Sequence, residues 1–197
     1  MSHKFNPENK AKLQSEWRKK NLPPIPTLEE LGLLSEDTVA DLGCGIGYFT
    51  IPAAEIISST NRVFALDTSE EMLTELEKGA SIAGFSNVIS IKTEEYDFKL
   101  PNESVSFALL VNVLHEIEDK ERFLKEANRI VKSKGRIALV DWEKKRTEMG
   151  PPIEHRISLE EVMELLTATG FEVSKVHHLA DIFYGIVAVK NEYLTKE

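Results

Sequence analysis

The chain has 197 residues, 42% of them hydrophobic, which suits one domain with a buried core. Its 24 Lys and Arg against 33 Asp and Glu give a net charge of −9, which disfavours nucleic acid as a partner because a phosphate backbone would be repelled. The single cysteine, Cys44, excludes an intramolecular disulfide and a multi-cysteine metal site, and neither a signal-type segment nor an apolar run of membrane-spanning length (~20 residues) stands out, so a cytoplasmic setting is expected.

In chain order, residues 7–20 place Ala11, Leu13 and Trp17 among charged and amide side chains and predict an amphipathic helix. Arg18-Lys19-Lys20 reads as its solvated end. Leu22-Pro23-Pro24-Ile25-Pro26 reads as a stiff, non-helical connector. Thr27 and Glu30 fit a capping box for a short helix stopped by Gly32. Strands are expected at 38–42, 62–66, 87–91, 105–111 and 136–140, and helices at 48–58, 70–82 and 119–131. Pro52 is tolerable in the first turn of its helix, Ser69 caps the next one, and Gly84 stops it. The run 105–111 is almost wholly apolar, as a strand buried on both faces should be.

After residue 141 the pattern changes. Residues 142–157 are polar and broken by Gly150-Pro151-Pro152, Ser158 caps a helix over 159–169, and 171–178 with 181–189 read as a hairpin. The expected fold is α/β: a Rossmann-like doubly wound sheet, mostly parallel with a C-terminal antiparallel hairpin strand, and helices on both faces.

The informative segment is Val39-Ala40-Asp41-Leu42-Gly43-Cys44-Gly45-Ile46-Gly47-Tyr48, a buried strand running into a glycine-rich turn that opens a helix. Such a turn brings backbone close to a ligand. The dinucleotide fingerprint Gly-x-Gly-x-x-Gly would need its third glycine at position 48, where Tyr48 stands, and Asp41 at the strand's end would repel a pyrophosphate. A carboxylate there instead favours a ligand carrying an ammonium and a sulfonium, as S-adenosylmethionine does. No Gly-Lys-Ser/Thr follows, so a P-loop is excluded. Asp67 ends the second strand 20 residues after Gly47, where a carboxylate can accept both ribose hydroxyls.

On these residues the chain resembles the class I S-adenosylmethionine-dependent methyltransferases, in the branch that includes the ubiquinone/menaquinone C-methyltransferases (the type 11 methyltransferase domain). The likeness runs from about residue 39 to 141. It implies that Asp41, Gly43, Cys44, Gly45, Gly47, Asp67, Thr68, Met72, Glu94, Glu95 and Asn112 bind the cofactor. Glu94 matches the acid that accepts from the adenine amino group. Glu95 matches the position whose amide meets the ring. Asn112 to Glu116 matches the segment leading to the methionine end. Leu100-Pro101-Asn102-Glu103-Ser104 and Lys132-Ser133-Lys134-Gly135-Arg136 match turns before the fourth and fifth strands. Ser106, Ser133 and Lys134 depart from the pattern, where Asp, Pro and Gly are usual. Residues 1–34 are expected to form a helical extension covering the site, and 35–197 the methyltransferase domain.

Methyl transfer from a sulfonium needs alignment and dryness, with acid–base help only for an acceptor that loses a proton. His115 and Asp141 are the candidate catalytic residues, with Glu116 and His155 as further candidate bases; His177 and His178 read as structural. No metal is expected, because the histidines lack ligand spacing. The expected partner is a small-molecule acceptor of unidentified structure, and a homodimer is compatible with the reading. A protein or RNA methyltransferase, a noncatalytic binding protein and an NAD-linked oxidoreductase are the alternatives. Deleting the residues before Thr27 is expected to spare cofactor binding and lower turnover.

Overall fold

The computed structural model describes residues 15–191. Seven strands form one sheet: β1 (Val39–Leu42), β2 (Val63–Asp67), β3 (Val88–Lys92), β4 (Val105–Val111), β5 (Val131–Trp142), β6 (Phe171–Leu179) and β7 (Phe183–Lys190). Their order is β3-β2-β1-β4-β5-β7-β6, with β1 to β5 parallel to one another and β7 antiparallel to both β5 and β6. β4 sits at the centre, and every one of its residues but Ser106 is buried. The strand order reverses between β1 and β4. In open sheets of this kind the crevice outside the carboxyl ends of those two strands is the ligand position.

Among the described residues six α-helices cover the sheet: α1 (Glu16–Asn21), α2 (Pro24–Glu30), α3 (Thr50–Ile56), α4 (Glu70–Ala83), α5 (Lys120–Ile130) and α6 (Leu159–Ala168). Alternate strand residues face opposite layers. Ala40, Leu42, Ala108 and Leu110 pack with Phe123, Leu124 and Ala127 of α5 and with Val162 and Leu166 of α6. Val39, Phe107, Leu109 and Val111 pack with Leu28 of α2 and with Ala53 and Ala54 of α3. Ser69, Asp119 and Ser158 cap α4, α5 and α6 as their sequence positions predict. The hairpin turn uses Ala180 and Asp181, both left-handed, which matches the twist of the strands it joins.

Several expectations are corrected. The predicted first helix begins, within the described residues, at Glu16; its 7–14 portion lies outside them. Pro24 and Pro26 are not in a connector but in the first turn of α2. Those positions have no intrahelical acceptor for their amides, so proline loses nothing there, and the first bond of the ladder runs from Thr27 N to Pro23 O at 3.1 Å. Thr27 is therefore a buried interior residue and not a cap. Between β4 and α5, Leu114–Glu116 form a 3₁₀ turn. The segment 132–135, expected as a turn before the fifth strand, is an irregular excursion within β5, whose pairing with β4 resumes at Arg136.

The departure at Ser106 has a local explanation. Ser106 Oγ donates to Asp37 Oδ1 at 2.7 Å and accepts from Thr38 N at 3.0 Å. Arg136 donates to both Asp37 oxygens at 2.7 and 2.6 Å. The carboxylate at the foot of β1 and β4 is thus supplied by Asp37, buried with Arg136 Nη2 on both of its oxygens.

Candidate active site

Gly43, Gly45 and Gly47 all have positive φ, at 75°, 54° and 86°. Alternating left-handed backbone of this kind is where glycine is favoured. Two of the three are also hemmed in by protein. A Cβ on Gly43 would lie 2.6 Å from Val113 Cγ2, and one on Gly47 would lie 3.0 Å from Leu76 Cγ. The first glycine therefore lets the β4 exit segment close against the loop, and the last lets α4 do so.

Four amides of this loop are already used. Gly43 N and Cys44 N donate to Leu66 O at 2.8 and 3.0 Å, Gly45 N to Asp67 Oδ2 at 2.8 Å, and Gly47 N to Cys44 O at 3.0 Å. A pyrophosphate-binding turn presents its amides to the ligand. Here these four point at acceptors of the protein itself. Cys44 packs with Ala65, Leu73 and Leu76 under the loop, and burial pushes its thiol pKa well up, which keeps it neutral.

On the β2–β3 side, Asp67 bridges two elements. Besides the bond from Gly45, its Oδ1 accepts from Ser69 N at 2.8 Å. Burial raises its pKa against the pull of the amides of Ser69, Gly45 and Thr68. It is half-buried, Thr68 beside it is exposed, and Met72 is buried in the first turn of α4. Thr93 N donates to Asp67 O at 3.0 Å, which draws the β3 exit to this carboxylate. Glu94 is exposed and its backbone bridges to Asp97 in both directions; Glu95 lies half-buried in the turn between them.

On the β1–β4–β5 side the charges are buried. Asp41 accepts from Thr50 Oγ1 at 2.6 Å, and burial, with Asp67 adding to it, raises its pKa to about 7. Arg18, predicted to be solvated, instead turns inward from α1. Its guanidinium lies over the Tyr48 ring at 4.6 Å and feels the charge of Asp41. The helix splits the charge run between two faces, with Lys19 and Lys20 exposed and Arg18 half-buried. Asn112, directly after β4, has a left-handed φ of 57°, and its Oδ1 is buried without a hydrogen-bond partner.

His115 and Asp141 meet although 26 residues separate them, because β4 and β5 are neighbours. His115 Nδ1 lies 2.8 Å from Asp141 Oδ1, and its amide donates to Oδ2 at 3.3 Å. Glu116 Oε1 is 3.7 Å from His115 Nε2. Burial pulls the His115 pKa down, but the Asp141 charge and hydrogen bond, with Glu116, more than reverse this, and the net shift is upward. Asp141 is fully buried, and its carboxylate oxygens are taken up by His115 and by the Trp142 amide at 2.8 Å.

His155 lies elsewhere, in a 3₁₀ turn of the 143–156 segment. That segment is gathered by Arg156, which donates to the carbonyls of Pro151, Glu143, Lys145 and Met149 and to Thr147 Oγ1, and lies over the Trp142 ring. Trp17 of α1 stacks on Trp142 at 5.8 Å. α1 thus reaches from the glycine loop to the end of β5. His177 pairs with Glu30 of α2 and His178 with Glu143, both away from these groups.

A methyltransferase domain model matches residues 40–139, which takes in the glycine loop, Asp41, Asp67 and His115 but neither Arg18 nor Asp141. This chain belongs to the methyltransferase domain family. A crystal structure of a SAM-dependent methyltransferase from Aquifex aeolicus is 30% identical, with a TM-score of 0.91 over 95% of this chain and 100% of that one. A putative type 11 methyltransferase from Sulfolobus solfataricus is 26% identical, with a TM-score of 0.68 over 81% and 87%. The demethylmenaquinone methyltransferase of Listeria monocytogenes is 28% identical over 130 residues, 66% of this chain and 52% of the relative. The chain spans about half the length of the curated relatives it matches.

The methyltransferase therefore takes S-adenosylmethionine as its cofactor, in agreement with the glycine register and the acid before it. The residues present fit that group. The loop offers no free amides to phosphate at the four positions described, and a buried carboxylate and an unpaired Asn112 acceptor stand beside it. Sequence reasoning missed Arg18, Thr50 and Thr93. The first was assigned to solvent, and the other two act only through partners that folding brings to them. Among the described residues no helix is long and apolar enough to cross a membrane.

Proposed function

We propose that this methyltransferase methylates a small acceptor that must surrender a proton, a class to which quinols belong. The single observation that carries the cofactor side is the pairing of internally bonded loop amides with the buried Asp41 carboxylate. That pairing suits a cation and has little to offer a phosphate. When bound, S-adenosylmethionine supplies a methyl group already activated on a sulfonium, so the protein's share is placement and exclusion of water.

In this reading Asp67 uses its remaining lone pairs for the ribose hydroxyls, with Thr68 and Met72 beside it. Glu94 and Glu95 receive the adenine. The backbone of Gly43, Cys44, Gly45 and Gly47 lies along the ligand, and Asp41 and Asn112 face its positively charged arm. His115 is the acceptor-side group. Asp141 occupies Nδ1, which leaves Nε2 as the ring atom able to take a proton. α1 and the 143–156 segment cover the site, so specificity resides in these additions to the sheet.

The quinol class is supported by the likeness to the Listeria demethylmenaquinone methyltransferase. The test is transfer of labelled methyl from S-adenosylmethionine to a short-tailed demethylmenaquinol, compared with unrelated phenols and amines. Label in the quinol supports the class. Label only in amines would discard it, and no base would then be needed at His115.

A further inference from the structure

Arg18 brings a half-buried cation to the ligand edge. Arg18 Nε has essentially no contact with solvent and no hydrogen-bond partner. Its neighbour Asp41 is taken up by Thr50, and the contact with Tyr48 is to the ring face, because the Tyr48 hydroxyl donates to Leu22 O at 3.1 Å. Burial lowers the Arg18 pKa to about 10, so it remains a cation at neutral pH. A guanidinium has five N–H donors in a planar fork, and leaving the Nε donor buried and unbonded is costly. The shape of that fork matches a carboxylate.

The position narrows the ligand. Arg18 lies against Tyr48, the residue after Gly47, and near Asp41 on β1. The ribose acid Asp67 is on the next strand outward, β2. A cofactor with its adenosine over β2 and β3 brings its amino-acid arm to β1 and β4. That arm carries one ammonium and one carboxylate, and two buried atoms here lack partners of opposite kind: the Asn112 Oδ1 acceptor and the Arg18 Nε donor.

We propose that Arg18, on a helix outside the matched family segment, grips the α-carboxylate of the cofactor's methionyl arm. The proposal rests on the S-adenosylmethionine reading and goes beyond it. It makes α1 part of the cofactor site and not only a cover. Because α1 also carries Trp17, which stacks on Trp142, cofactor binding would fasten the helix that closes over the acceptor side. This revises the expectation that a chain lacking the residues before Thr27 keeps its cofactor affinity.

The test uses the full chain, S-adenosylmethionine and its decarboxylated analogue, which retains the sulfonium and the ammonium. Titration calorimetry should show wild type preferring the carboxylate-bearing ligand. R18M should lose about 30-fold in affinity for S-adenosylmethionine, the scale of a charge-assisted bidentate contact. It should bind the decarboxylated analogue as well as wild type does, or better. R18K, which keeps the charge and the helix but not the fork, should fall between them, and it carries the test if R18M does not fold. Equal losses on both ligands, or none on S-adenosylmethionine, would overturn the assignment. If wild type binds neither ligand, the cofactor reading falls with it.

Discussion

The two halves of the site solve different problems. Toward β2 and β3 the groups are accessible and local: Asp67 is half-buried, Thr68 and Glu94 are exposed, and their partners are amides within a few residues or on the adjoining loop. Toward β1, β4 and β5 the charges are buried and their partners distant in sequence, as in Arg18 near Asp41 and His115 on Asp141. A neutral sugar and base need acceptors that water has not saturated. A charged arm and a proton in transit need a low-dielectric setting, where each charge counts for more. The difference teaches that binding affinity and reactivity are separable here, and substitutions should separate them.

The largest expected effect is on the buried side. His115→Gln should lower turnover with a proton-losing acceptor by about 100-fold or more, the usual reach of a general base. Affinity for S-adenosylhomocysteine should stay within about twofold. A matching fall in affinity would merge the halves that the comparison keeps apart. Asp67→Ala should do the reverse. It should weaken S-adenosylmethionine and its demethylated product alike, by about 30-fold given the worth of hydrogen bonds to a charged group, while saturating cofactor restores turnover. An unaffected affinity would remove Asp67 from the site.

The comparison can be sharpened with pH. The folded pKa of Asp41 is about 7, above its ordinary carboxylate value, and desolvation is the main cause. A group raised in this way contributes stability that is present at low pH and lost as pH rises through the folded value. The cofactor-free protein should therefore lose thermal stability between about pH 4 and pH 7, from the ordinary carboxylate value up to the folded one. Cofactor affinity should rise over the same window, by up to about tenfold per unit below pH 7, because the cationic arm binds the ionised form. Asp41→Asn should flatten both profiles; a slope that survives the substitution belongs to another group. The smallest effect is a control far from either half. Gly84 ends α4 at φ 80° with open space around its missing Cβ, so Gly84→Ala should cost about 1 kcal/mol of stability and leave affinity unchanged.

The accessible half was also the legible half. Asp67, Thr68 and Glu94 stand at strand ends whose apolar runs are short and clear, so their place follows from the alternation of strand and helix. Asp41 and the glycines were legible for the same reason, although the expected role of the loop amides was not. Their acceptors, Leu66 O and Asp67, belong to a neighbouring strand, and only the parallel pairing of β1 with β2 brings them there. His115 and Asp141 were each picked out by position but not as a pair, since their contact requires β4 to lie beside β5. Arg18 was misread because a charged run on a short helix says nothing of which side faces inward. Pro24 and Pro26 were misread because proline forbids a helix interior but suits its first turn. Ser106 looked like a defect until Asp37 supplied the missing carboxylate.

The central claim is that a glycine turn with its amides spent internally, set beside a buried acid, selects a sulfonium over a phosphate. The most direct measurement is parallel calorimetric titration of the full chain with S-adenosylmethionine and with NAD. The account predicts saturable binding of the first, in about the micromolar range, and no competing heat from the second. Binding of NAD that displaces the adenosyl sulfonium would contradict it.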